Sequence, residues 1–273
     1  MAAKSLAFLG GGNMGRALVS GLLRRGIRQE QIRVAEVSAD AQAALRRDLG
    51  ISASADLKAT VADADVVVLA VKPQDARAVL TAVSALLQQK RPLVVSVAAG
   101  IRVDSLIRWC GAGIAVVRAM PNRPAFVGGG VSGLYAADGV SAAAREEAAG
   151  ILRAVGEVVW VANEDALDVV TALSGSGPAY LFLLTEAMMQ AGVALGLDPE
   201  AARRLAVGTL YGAGLLAQSS DGDLVRLRQE VTSKGGTTEA ALAVFATADF
   251  SATVTRALTA AMLRSREIAA QFG

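Results

Sequence analysis

The sequence predicts an α/β protein, an N-terminal Rossmann-type doubly wound sheet followed by an all-helical C-terminal domain. Three observations carry this. Strand-length apolar runs alternate with helix-compatible segments from the start of the chain to Asn163. A glycine-rich turn joins the first run to the first helix. After Asn163 no convincing strand remains. Alternation of this kind builds a parallel sheet covered on both faces. The expected organisation is a Rossmann domain over residues 1–163 and a helical domain over residues 164–273.

The elements follow in order. Leu6-Ala7-Phe8-Leu9, Ile32 to Val37, Val66 to Leu69, Leu93 to Val97 and Ile114 to Val117 are continuously apolar and rich in β-branched residues, so they read as buried strands. Between them Met14 to Arg25, Ala39 to Leu49 and Asp75 to Gln88 are helix-compatible. Val131 to Tyr135 and Val158 to Val161 complete the sheet. Tyr180 to Leu195, Pro199 to Gln218, Thr238 to Thr247 and Ser251 to Gln271 read as helices, apolar on more than one side. Such faces pack either into a core or against another subunit.

The segment Gly10-Gly11-Gly12-Asn13-Met14-Gly15 places G-x-G-x-x-G between the first strand and its helix. Gly10 permits the tight turn, Gly12 lets the backbone approach a pyrophosphate, and Gly15 allows close strand–helix contact. The helix start supplies free N–H groups to the phosphates. Near the end of the second strand, Glu36 is placed to hydrogen-bond the ribose hydroxyls of NADH and to repel the extra phosphate of NADPH. Ser38 follows and could donate to that phosphate. Both cofactors stay open, with Glu36 leaning to NADH.

Composition narrows the partners. The 27 basic and 25 acidic residues are scattered, with no tract suited to nucleic acid. One cysteine and no histidine exclude an internal disulfide and leave a metal without its usual ligands. The longest apolar stretch of concern, Leu205 to Ser220, is about 16 residues, below the roughly 20 that span a bilayer. With no signal-peptide pattern at the start, a cytoplasmic protein acting on a small molecule is expected.

Several segments together resemble the pyrroline-5-carboxylate reductase family along the whole chain: Gly10 to Gly15, Ala70-Val71-Lys72-Pro73-Gln74, Ser96-Val97-Ala98-Ala99-Gly100, Arg118-Ala119-Met120-Pro121-Asn122, Leu173-Ser174-Gly175-Ser176-Gly177-Pro178-Ala179-Tyr180 and Ser233-Lys234-Gly235-Gly236-Thr237-Thr238. The resemblance implies reduction of 1-pyrroline-5-carboxylate to L-proline by NADPH or NADH. It implies that Ala70, Val71, Lys72 and Pro73 lie against the cofactor, although Lys72 also reads as a solvated strand-edge residue. It implies too that Ala98, Ala99 and Gly100 let the nicotinamide ring come close.

By the same resemblance Ser233, Lys234, Gly235, Gly236, Thr237 and Thr238 bind the substrate, with Thr238 hydrogen-bonding the ring nitrogen. Read from the residues alone, the glycine pair before a helix makes an anion site, and a threonine there also suits a helix cap. Lys234 and Arg123 depart from the family pattern, where proline and threonine respectively are common. The family further implies a homodimer, or rings of dimers, whose C-terminal helices interleave.

A serine triad is excluded at Ser174 or Ser176, because no histidine exists to act as base. Hydride transfer asks the protein chiefly for orientation, so Thr238 would orient and polarise rather than supply the proton. One alternative is a β-hydroxyacid dehydrogenase-like oxidoreductase. It would carry a lysine and an asparagine on the first long helix of the second domain, and the segment Pro178 to Leu184 has neither. The other is a non-catalytic NAD(P)-binding protein, against which the Gly235 to Thr238 segment argues.

Overall fold

The computed structural model describes residues 4–220 and 222–272. Two compact units emerge: residues 1–176 with 261–273, and residues 177–260.

The first unit holds strands β1 (Leu6–Leu9), β2 (Ile32–Ala35), β3 (Ala53–Ser54), β4 (Val66–Leu69), β5 (Leu93–Ser96), β6 (Val116–Met120), β7 (Gly130–Ala136) and β8 (Gly156–Trp160). They form one sheet in the order β3-β2-β1-β4-β5-β6-β7-β8. All neighbours are parallel except β6 and β7, where Arg118 pairs with Tyr135 in an antiparallel register. β1, β4 and β5 are buried along their whole length, which explains their unbroken apolar sequences. The helices are α1 (Asn13–Arg24), α2 (Ala39–Leu49), α3 (Leu57–Val61), α4 (Pro73–Lys90), α5 (Val103–Cys110), α6 (Ala142–Arg153) and α7 (Ala166–Val170), followed by a wide helical turn at Thr171–Gly175.

Local chemistry sets these boundaries. Ser38 caps α2 by accepting the Ala41 N–H, and Gly50 ends it in a left-handed conformation. Pro73 opens α4, where its missing N–H costs nothing. β1 lies between β2 and β4, so the chain leaves it on one side and returns on the other. That reversal is the topological switch point, and its crevice opens beyond Leu9 and Leu69.

The second unit contains α8 (Gly177–Ala194), α9 (Pro199–Ser219), α10 (Leu224–Glu230), α11 (Thr237–Thr247) and the first part of α12 (Phe250–Phe272). Asp198 caps α9 through the Glu200 and Ala201 N–H groups. Phe245 and Phe250 meet edge-on with centroids 5.4 Å apart. Among the described residues α8, α10 and α11 bury no residue, while Phe182, Leu183, Leu205, Tyr211 and Leu216 are exposed. Among the described residues of this unit only Ala202 and Ala206 of α9 are buried.

The fold class agrees with the sequence reading, and three details differ. The compact units divide after Ser176 rather than at residue 163, and the end of α12 belongs to the first unit. Leu167 and Asp168 of α7 are buried in that unit, which draws the segment after Asn163 into it. Among the described residues, the helical stretch long and apolar enough to cross a membrane by length and composition is Ala166–Ala194, not Leu205–Ser220. Its first turns carry the buried, hydrogen-bonded Asp168. Finally, β7 runs against its neighbour β6 in a sheet expected to be parallel.

Candidate active site

The glycine loop sits at the switch point. Gly10 has φ +104°, donates its N–H to Ala35 O at 2.8 Å, and faces Ala70, whose carbonyl oxygen would lie 2.6 Å from any Cβ placed there. A Cβ on Gly15 would lie 2.3 Å from Gly10 O, so α1 and the turn can approach this closely only as glycines. Gly12 differs: it is the N-cap of α1, and a Cβ there would meet nothing within 4 Å. That open space beside the first amides of α1 suits a pyrophosphate. Asn13 is exposed in the first turn, and Met14 packs partly into the core.

Glu36 is half-buried with both carboxylate oxygens engaged. Oε2 accepts the Gly11 N–H at 2.9 Å and Oε1 accepts the Ser38 N–H at 2.8 Å. Its charge is therefore fixed between the glycine loop and the start of α2 rather than free in solvent. The Ser38 hydroxyl already accepts the Ala41 N–H. Neither bond was apparent from residue spacing alone.

Beyond β4, Ala70 and Val71 are half-buried, Lys72 is exposed, and Pro73 begins α4. Beyond β5, Ala98 and Gly100 are buried and Ala99 is half-buried. Ser96 Oγ accepts the Ala98 N–H at 3.3 Å, and Gly100 has φ +76°. Both segments lie at the carboxyl edge of adjacent parallel strands, where the Rossmann arrangement places a dinucleotide.

Two charged side chains brace this edge: Glu164, missed in the sequence reading, and Arg118, named there only within a family segment. Arg118 and Glu164 form a buried ion pair at 2.8 Å, and Glu164 Oε1 also accepts the Val103 N–H at 2.8 Å. Asn122 bridges the Val131 N–H and the Ser174 carbonyl, at 2.9 and 3.1 Å. The Ser174 hydroxyl donates to Val170 O at 3.1 Å, which gives it a structural partner. Burial pushes the Cys110 thiol up to about 12, so it stays protonated and inert near neutral pH.

In the second unit the Ser233 to Thr238 segment makes a tight turn into α11. Gly235 has φ +72°, and a Cβ on Gly236 would lie 2.5 Å from Ser233 Oγ, so each glycine has a steric reason of its own. The Gly235 N–H is taken by Glu239 Oε2 at 2.7 Å and the Gly236 N–H by Ser233 O at 3.0 Å. Helical pairing starts with the Ala240 N–H on Gly236 O at 3.2 Å. The Thr237, Thr238 and Glu239 amides before it are thus the donors an anion would use. Gly236 is the N-cap and has no side-chain cap bond; Thr238 is the second residue of the helix, half-buried. Thr238 is not the cap. Thr237 and Lys234 are exposed. Glu239 was missed, although a carboxylate three residues past a turn is a known helix-start signal.

Comparison with known proteins gives two family matches, "Pyrroline-5-carboxylate reductase dimerisation" over residues 164–268 and "NADP oxidoreductase coenzyme F420-dependent" over residues 5–100. A pyrroline-5-carboxylate reductase from Pseudomonas aeruginosa is 46% identical over 273 residues, covering 100% of both chains. Among solved structures, a pyrroline-5-carboxylate reductase from Coxiella burnetii matches with TM-score 0.94 and 39% identity, covering 97% of this chain and 98% of the other. A Plasmodium falciparum pyrroline carboxylate reductase with NADP bound matches with TM-score 0.85 and 28% identity, covering 98% and 99%.

Proposed function

This chain belongs to the pyrroline-5-carboxylate reductase family, whose members reduce 1-pyrroline-5-carboxylate to L-proline with a nicotinamide cofactor, and we propose how its residues divide that work. Gly10, Gly11, Gly12, Asn13, Met14 and Gly15 take the pyrophosphate, Glu36 and Ser38 the adenosine ribose, and Ala70 to Pro73 with Ala98 to Gly100 the nicotinamide half. The supporting observation is the glycine loop at the switch point, crowded at Gly10 and Gly15 but open at Gly12. When bound, the cofactor supplies the hydride. By role rather than by compactness, residues 1–163 are assigned to the dinucleotide and residues 164–273, which include the matched dimerisation region, to substrate binding and dimerisation.

The chain's part in the reaction is orientation. The Thr237, Thr238 and Glu239 amides, with Lys234 nearby in sequence, hold the substrate carboxylate, and the Thr238 hydroxyl fixes the ring nitrogen. A hydroxyl is too weak an acid to be the proton source, so solvent or an already protonated imine provides the proton. The deciding assay follows oxidation of NADH and of NADPH with pyrroline-5-carboxylate and with its six-membered homologue. Absence of turnover with the five-membered ring would remove this reading in favour of a non-catalytic dinucleotide binder.

NADH is the preferred cofactor in this proposal, because the fixed Glu36 carboxylate repels a 2′-phosphate. Glu36→Ser removes the charge and releases the Gly11 and Ser38 amides. The ratio of kcat/KM for NADPH to that for NADH is expected to rise about tenfold, roughly 1.4 kcal/mol. An unchanged ratio would show that Glu36 does not read the cofactor.

A homodimer, alone or assembled into larger rings, is the proposed form, in the cytoplasm. The exposed apolar side chains of α8 and α9 lie within the matched dimerisation region and are covered by a second copy rather than by lipid. Sedimentation at micromolar concentration is expected to show a dimer or larger species; a stable monomer would count against it.

A further inference from the structure

We propose that Ser265 and Asp168 form a buried latch that holds the last helix against Gly100 and so positions the Ala98 to Gly100 turn for the nicotinamide ring. The proposal rests on the cofactor reading of that turn given above. Asp168 is 1% exposed and Ser265 is 5% exposed, and the Ser265 hydroxyl donates to Asp168 Oδ1 at 2.7 Å across 97 residues of sequence. Arg266 Nε lies 3.8 Å from the other carboxylate oxygen. The hydride-transfer chemistry uses none of these groups.

A buried carboxylate is an expensive way to dock a helix. The end of α12 already offers Ala269, buried, and Phe272, packed against the core. Apolar packing of that kind holds the helix down, and a directional hydrogen bond adds a further constraint on its rotation and axial position. What the bond fixes is Ile268, three residues on and on the same face of the helix. A Cβ built on Gly100 would lie 2.8 Å from Ile268 Cγ2 and 3.5 Å from the Ala269 backbone nitrogen. Gly100 therefore rests directly on this helix, against the Ile268 side chain and the backbone beside it.

The turn is held at both ends. Ser96 Oγ anchors the Ala98 N–H, and the Glu164 carboxylate anchors the Val103 N–H just beyond it. Gly100, between these anchors, takes its support from Ile268. Loss of the latch would free that middle point without disturbing the glycine loop at the other end of the cofactor. Ser265, Asp168 and Ile268 are positioning residues in this scheme.

The test compares the affinities of Ser265→Ala for NADH and for ADP-ribose, which lacks the nicotinamide. NADH binding is expected to weaken about tenfold while ADP-ribose binding is unchanged, because only the ring loses its support. Ile268→Ala, which leaves the buried carboxylate paired, should show the same selective loss and serves if Ser265→Ala does not fold. A parallel loss of both ligands, or a loss of neither, overturns the latch. Ala99→Leu separates the premises: if this bulkier residue leaves NADH affinity intact, the cofactor reading of the turn has failed and the latch falls with it.

Discussion

Gly12→Val is expected to lower affinity for NADH and NADPH about 100-fold while leaving the melting temperature close to that of the parent. The position makes the two effects separable. Gly12 has φ −66° and ψ −168°, an extended conformation that valine adopts without strain, and a Cβ there meets no protein atom within 4 Å. The new side chain therefore costs the fold little. It fills the space beside the first amides of α1, and a pyrophosphate kept away from them loses hydrogen bonds to a charged group worth about 1.5–3 kcal/mol each. Loss of one or two such bonds corresponds to about 100-fold. Gly15→Ala would be a poor substitute, since its Cβ would lie 2.3 Å from Gly10 O and would disturb the strand–helix contact itself. Fluorescence titration with both cofactors, beside a thermal melt, checks the result. A folded Gly12→Val protein with undiminished affinity would remove the loop from the cofactor site.

Local signals carried most of the fold. β1, β4 and β5 were legible because strands buried on both faces must be continuously apolar, and α2 because Ser38 and Gly50 bracket it. β3 is only Ala53–Ser54, too short for any periodicity to register. α5 is only eight residues long and its N-cap, Arg102, makes no side-chain cap bond, so no start signal marks it. The parallel pairing of β7 with β8 demands a crossover, and Ser141, whose side chain accepts the Ala144 N–H, marks where it begins. The antiparallel turn at β7 has no local signature, because strand direction is decided by which edge of the sheet is free.

The candidate site divides along the same line. The glycines of residues 10–15 and 235–236 stand out in sequence, and at Gly10, Gly15, Gly235 and Gly236 a positive φ or a close neighbour gives each a local steric reason. What those loops lean on does not. Glu36 gripping the Gly11 amide, Arg118 paired with Glu164, and Ser265 bonded to Asp168 join residues 25, 46 and 97 positions apart. Only the tertiary fold brings them together. Glu239 is the exception, being four residues from the Gly235 amide it occupies. A glycine pair before a helix suits an anion site as well as a tight turn, so spacing alone does not show that Glu239 occupies the Gly235 amide.

Thr238→Ala should reduce kcat/KM for pyrroline-5-carboxylate about 5- to 150-fold, the equivalent of roughly 1–3 kcal/mol for an unpaired hydrogen-bonding partner, with cofactor affinity unchanged. A threonine that merely capped α11 would behave differently, costing about 1 kcal/mol of stability and leaving turnover alone. The structure separates these outcomes before any measurement, since the N-cap is Gly236 without a side-chain bond and Thr238 lies inside the first turn. Alanine at a helical position is a slightly better helix former than threonine, so the melting temperature should hold or rise. Thr238→Ser, which keeps the hydroxyl, should recover most of the lost efficiency. Thr238 is half-buried in the same turn whose amides are proposed to receive the carboxylate, so carboxylate and ring nitrogen would be held by one rigid element. Thermal melts, cofactor titration and steady-state kinetics on the two variants decide it: wild-type turnover in a destabilised Thr238→Ala protein would return Thr238 to a structural role.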